Sequence, residues 1–124
     1  MKKLTTKWFK KWAGKVRLSN QNLLDTIKNL ESGLSVSDLG GNLFKVRVKR
    51  EHGGKSSGFR TIIVYKSGER AIFLYGFGKN EKNNLDQSEL RYFKKLGQDL
   101  LALDATDLEQ AISKKVLFNL EDMK

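Results

Sequence analysis

LFKVRVKREHGGKSSGFRTIIVYKSGERAIFLYGFGKNEKNN, residues Leu43 to Asn84, contains three strand-like runs and most of the side chains able to act on a phosphate. In the first run Phe44, Val46 and Val48 alternate with Lys45, Arg47 and Lys49. A strand then puts the apolar side chains on one face and three cations on the other. Cations two residues apart on a strand face stand roughly 6.6 Å from each other, and they repel unless an anion lies across them.

Arg50 and the polar segment EHGGKSSG lead to the second run, Phe59 to Lys66. Ser67-Gly68 reads as a two-residue hairpin turn, since glycine supplies the positive φ such turns need. That register sets Lys66 opposite Glu69, Val64 opposite Ala71, Ile62 opposite Phe73 and Arg60 opposite Tyr75. The third run, Ala71 to Phe77, is almost wholly apolar, which suits a strand covered on both faces. It breaks at Gly76 and Gly78 into Lys79, Asn80, Glu81 and Lys82, so polar groups are delivered close to Arg60. The expected functional site lies there.

The chain has 124 residues, which is one domain by length. It lacks cysteine and has a single histidine, His52, which argues against disulfides, thiolate metal sites and a histidine metal centre. Lys and Arg number 24 against 14 Asp and Glu, for a formal net charge of +10. Such a balance favours polyanionic partners. No apolar run approaches the roughly 20 residues that span a bilayer, and the lysine-rich start lacks the apolar segment of a secretory signal. A cytoplasmic protein without membrane association is expected.

Outward from the central stretch, Met1 to Thr6 reads equally as a strand or a lead-in. Trp8, Phe9, Trp12 and Val16 recur at helical spacing, with both tryptophans expected in the core and Lys10, Lys11 and Lys15 pointing elsewhere. Ser19 caps a second helix with Leu23, Ile27 and Leu30 as its stripe and Gly33 as its stop. Ser35 to Asn42 reads as a loop whose paired glycines imply close approach to another backbone. Asp86 and Glu89 form a capping box before a helix with Leu90, Phe93, Leu96 and Leu100 inward. Thr106 and Glu109 repeat that pattern before a shorter helix, and Val116, Phe118 and Leu120 alternate like an edge strand. The expected fold is α+β: a small antiparallel sheet with an N-terminal helical hairpin and a C-terminal helix packed on it.

The blocks TKWFKKWA, SDLGGNLFKVRVKR, GGKSSGFRTI, FLYGFGKNEKNNL and ELRYFKKLGQDLL, in this order, resemble toxins of the RelE/ParE superfamily, in the HigB-like branch of bacterial type II toxin–antitoxin modules. The resemblance runs from about Lys7 to Leu103, within a single domain 1–124 whose segment 104–124 is an extension with no family role. It implies a RelE-like fold and a toxin that cuts messenger RNA in the ribosomal decoding site. It also implies a cognate antitoxin, often a small helix-turn-helix protein, through which alone operator DNA would be met.

Attack of a ribose 2′-hydroxyl on the adjacent phosphate needs proton removal, leaving-group protonation and stabilisation of added negative charge, with no metal or organic cofactor. One histidine excludes a histidine pair, whereas lysines and arginines supply the electrostatic part. Carried over by motif, Lys45 and Arg47 match the basic strand, Lys55 the basic loop, Arg60 the arginine opening the next strand, and Lys79 the polar exit of the central strand. These are the catalytic candidates. Lys49, Arg50, His52, Tyr75, Asn80 and Lys82 are candidate RNA contacts. Some ribosome-dependent relatives carry a late tyrosine or histidine, but Glu81 to Gln87 has neither, which leaves proton transfer to a lysine, to Glu81 or to positioning by the ribosome.

Plainer readings compete with these. Alternating cations also describe a solvated strand edge, but Glu51 is the sole acid from Lys45 to Arg60, which favours an anion. Gly53-Gly54-Lys55-Ser56 lacks the first glycine of a nucleotide-binding loop, because Lys49 stands five residues before Gly54. The rival functions are a ParE-like inhibitor of DNA gyrase and a noncatalytic module that binds RNA or ribosomes.

Overall fold

A computed structural model describes residues 1–48 and 58–122. The elements are β1 (Lys2–Thr6), α1 (Lys7–Lys15), α2 (Asn20–Ser32), β2 (Val36–Gly40), β3 (Leu43–Val48), β4 (Phe59–Lys66), β5 (Arg70–Gly78), α3 (Gln87–Ala102), α4 (Ala105–Ser113) and β6 (Leu117–Asn119). Among the described residues the strands form one six-stranded sheet in the order β2-β3-β4-β5-β1-β6. Helices cover both faces. One core joins Phe9, Leu23, Ile27 and Leu30 of α1 and α2 to Val46, Val48, Ile63 and Phe73. The other joins Phe93 and Leu100 of α3 to Leu43, Ile62, Val64, Leu74 and Phe77. The α+β architecture read from the sequence is the observed one, with the central run β5 inside the sheet.

Two strands were not legible as such. β1 pairs parallel to β5 over Lys2–Thr5 and antiparallel to β6, so the N-terminal residues extend the sheet beyond its antiparallel part. Residues 36–40, expected to be loop, form β2 instead. Only Val36 and Leu39 in it are partly buried, so its strand state comes from pairing with β3, not from its own apolar content. Of its paired glycines, Gly40 pairs with Leu43 in the ladder, and both meet side chains of α3: Gln98 Nε2 donates to Gly41 O at 3.0 Å, and a Cβ on Gly40 would stand 3.3 Å from Lys94 Nζ.

The β4–β5 register also differs from the expected one. Lys66 pairs with Arg70 and the turn has three residues, Ser67–Glu69, with Gly68 at φ 77°. A bulge then shifts the ladder from Ile63↔Phe73 to Ile62↔Tyr75, with Leu74 as the extra residue. Each event moves the register by one position. Arg60 therefore faces Phe77, not Tyr75.

The capping signals of α2 and α3 hold, and that of α4 does not. Ser19 and Asn22 form a capping box for α2, Gly33 ends it at φ 74°, and Asp86 and Glu89 box the start of α3. The cap of α4 is Asp104, which accepts from Asp107 N, and not Thr106; a carboxylate two residues earlier is the stronger acceptor. At β6 Leu117 is buried and Val116 exposed, while Leu120, which ends the expected alternation, is buried just after the strand. Trp12 is half-buried, but Trp8 is largely exposed rather than in the core. Asp86→Ala removes the carboxylate that accepts from Glu89 N at 2.8 Å. It is expected to cost about 1 kcal/mol, read as a lower urea midpoint at unchanged slope.

Candidate functional site

Because Phe44, Val46 and Val48 pack against α1 and α2, strand alternation turns Lys45 and Arg47 to the opposite face. β3 pairs with β4 so that Arg47 lies directly opposite Arg60 and Lys45 opposite Ile62. Two arginines facing each other across a ladder destabilise it unless something neutralises them. Gly58, just before β4, brings them together: a Cβ there would stand 3.7 Å from Arg47 Nε and 3.8 Å from Arg60 Nη1. Both guanidinium groups thus converge on one point.

β2 closes the other side. Ser37 lies opposite Lys45, and the Arg47 N–H donates to Ser35 O at 3.2 Å. The result is a concavity of about 410 Å³ whose lining includes Ser35, Ser37, Lys45, Arg47 and Arg60 and, among the described residues, no carboxylate. Arg47 Nε and Arg60 Nη1 are shielded from solvent and have no hydrogen-bond partner among the described residues. Buried charged donors without acceptors are costly. A phosphodiester anion placed between them would satisfy both and offset their mutual repulsion.

The Lys45 ammonium donates to Asn84 Oδ1, which ties the segment before α3 to the groove. Lys79 and Asn80 occupy the exposed turn after β5, where Lys79 N donates to Gly58 O at 3.1 Å. They sit at the groove's end of the sheet without lining it. Tyr75 stacks on Phe93 at 4.9 Å and contacts Trp8 at 4.8 Å between ring centroids, so it belongs to an apolar cavity on another flank. Lys49, Arg50, His52 and Lys55 lie outside the described residues. Ser35, Ser37 and Asn84 were missed by sequence reasoning. The period-two pattern Ser35-Val36-Ser37 was the available signal for the first two, and Asn84 has none.

Lys82 is held by Glu89, whose carboxylate accepts from its ammonium at 2.6 Å, above the rings of Tyr75 and Phe77. The hydrogen bond to Glu89 raises the Lys82 pKa, burial opposes this, and Tyr75 adds to the rise. A folded-state pKa above the unfolded one means that the stabilisation is complete below about pH 10.4 and is lost as pH rises through the folded value. Glu89→Gln keeps a cap acceptor but removes the charge. It is expected to cost about 0.5–1 kcal/mol at pH 7, a difference from wild type that stays constant up to about pH 10.4 and shrinks only above it in urea titrations.

A family model described as the RelE toxin of the RelE/RelB toxin–antitoxin system matches residues 1–120. No curated protein matches the chain.

Proposed function

Since the chain belongs to the RelE toxin family, and so is the toxin of a toxin–antitoxin system with a cognate antitoxin as partner, we propose that it is a ribosome-dependent mRNA endoribonuclease of the HigB-like branch, acting in the cytoplasm. The observation that carries this is the pairing of Arg47 with Arg60 in a groove that also holds Lys45 and, among the described residues, no acid. Both guanidinium groups grip the nonbridging oxygens of the scissile phosphate. The 2′-oxygen attacks phosphorus, the bond to the 5′-oxygen breaks, and negative charge accumulating on the phosphoryl oxygens meets donors already in place.

The reaction is metal-independent. One proton leaves the 2′-hydroxyl and one reaches the departing 5′-oxygen; Lys45 or Lys55 serves these transfers, with Glu81 as the alternative base. The ribosome supplies the in-line geometry of the RNA. Lys79 and Asn80, with Lys49, Arg50 and His52, extend the contact along the backbone, where cations position without reading sequence. Lys82 and Tyr75 are engaged with Glu89 and Phe93 instead.

The chemistry fixes the products. Cleaved mRNA should carry 2′,3′-cyclic phosphate and 5′-hydroxyl ends, detected by end-specific ligation after incubation with translating ribosomes. Fragments with 3′-hydroxyl ends would overturn the mechanism. Intact mRNA together with loss of supercoiling by purified gyrase would replace it with the ParE-like function.

A further inference from the structure

A second cavity, of about 460 Å³, lies where the start of α1, α3 and β6 meet. Trp8, Tyr75, Tyr92, Phe93, Val116 and Leu117 are among its lining residues, and none of the cations of the guanidinium groove is. Trp8, Tyr92 and Val116 are 48, 63 and 55 % exposed, and all three belong to this one cavity. Their exposure is not that of a frayed end. The turn that carries Val116 is fixed by its own N–H donating to Ala111 O at 2.9 Å and by Lys115 N donating to Ile112 O at 3.1 Å. Apolar surface gathered in one place and rich in Trp and Tyr is the usual composition of an interface centre.

The surroundings of the cavity are basic. Lys7 lines it, Lys11 follows one turn along α1, and Lys114 and Lys115 immediately precede Val116, all four exposed. On α3, Asp99 is already paired with Lys95 at 2.9 Å. A second copy of a chain with net charge +10 would bring lysines against lysines. A segment with carboxylates beside apolar anchors meets both features at once.

We propose that this cavity is the docking site of the cognate antitoxin, and that the segment seated in it is amphipathic, with aromatic or branched apolar anchors flanked by Asp and Glu. The proposal rests on the family's antitoxin partner and not on the cleavage reaction, so failure of the mRNA assay would leave it standing.

The test uses the antitoxin encoded in the same operon, titrated calorimetrically into this chain carrying Arg60→Ala. Tyr92→Asp and Val116→Asp, at exposed positions, should each weaken binding by about 30-fold or more, while their melting curves stay close to the parent's. Leu34→Asp alters a side chain that is 60 % exposed and outside the cavity, and should leave affinity unchanged. A second readout needs neither cavity variant. In Trp12→Phe the sole tryptophan is Trp8, and its emission should shift to the blue when the antitoxin binds and covers it. Full affinity in both aspartate variants, equal loss in Leu34→Asp, or an unshifted Trp8 emission would overturn the proposal. So would a dimer of this chain that covers Trp8 without antitoxin.

Discussion

Arg60→Ala is expected to lower mRNA cleavage on translating ribosomes by about 10²–10³-fold while leaving the melting temperature unchanged or slightly higher. The two effects have one cause. Arg60 faces Arg47 across the ladder, and a solvent-shielded nitrogen of each lacks a partner among the described residues. Removing one guanidinium relieves a like-charge pair that costs the folded protein a few tenths of a kcal/mol or more. It also removes half of the clamp that stabilises the transition state. A residue kept for packing would show the reverse pattern, losing stability first. Arg47→Ala should behave alike, and the double variant should lose less than the product of the single effects, because both groups act on one phosphate.

Gly76→Ala is expected to be the most destabilising small substitution in the sheet, at about 2–4 kcal/mol. Trp12 lies flat against this position, and a Cβ on Gly76 would stand 2.2 to 2.6 Å from three ring carbons of its indole. The ring has little room to yield, since it also meets Phe9 at 5.4 Å and Phe59 at 5.5 Å between centroids. Thermal unfolding followed by circular dichroism measures the loss. Trp12→Val in the same chain should restore part of it, because the clash and the substitution share one contact. Gly76 stands opposite Thr61, beside the Arg60–Phe77 pair. Close packing of α1 on β5 thus holds the strand next to the one that carries the clamp.

The hydrophobic alternation of β3, the long apolar run of β5 and the caps of α2 and α3 were readable because each is set by residues within one element. The cationic face was readable for the same reason: once Phe44, Val46 and Val48 point inward, Lys45 and Arg47 cannot. What escaped reading depends on distant partners. β2 has a polar sequence and becomes a strand by pairing with β3. β1 finds its place only beside β5. The position of Arg60 depends on a three-residue turn and on the bulge at Leu74, and nothing in the apolar run marks the residue that is extra. The facing of Arg47 and Arg60 is set by β3–β4 pairing across the connection of residues 49–57, which neither strand encodes alone. Trp8 follows the helical stripe of α1, yet the sheet beneath it ends in an open cavity rather than a covered core.

The central claim, that the paired arginines form the clamp of a ribosome-dependent nuclease, is tested most directly by primer extension on one defined mRNA in a reconstituted translation system. Wild type and Arg60→Ala are compared, each with and without ribosomes. The expected result is a set of new cuts that requires both ribosomes and Arg60. Cuts of equal strength from the folded Arg60→Ala protein would contradict the claim, as would cuts by wild type that need no ribosome.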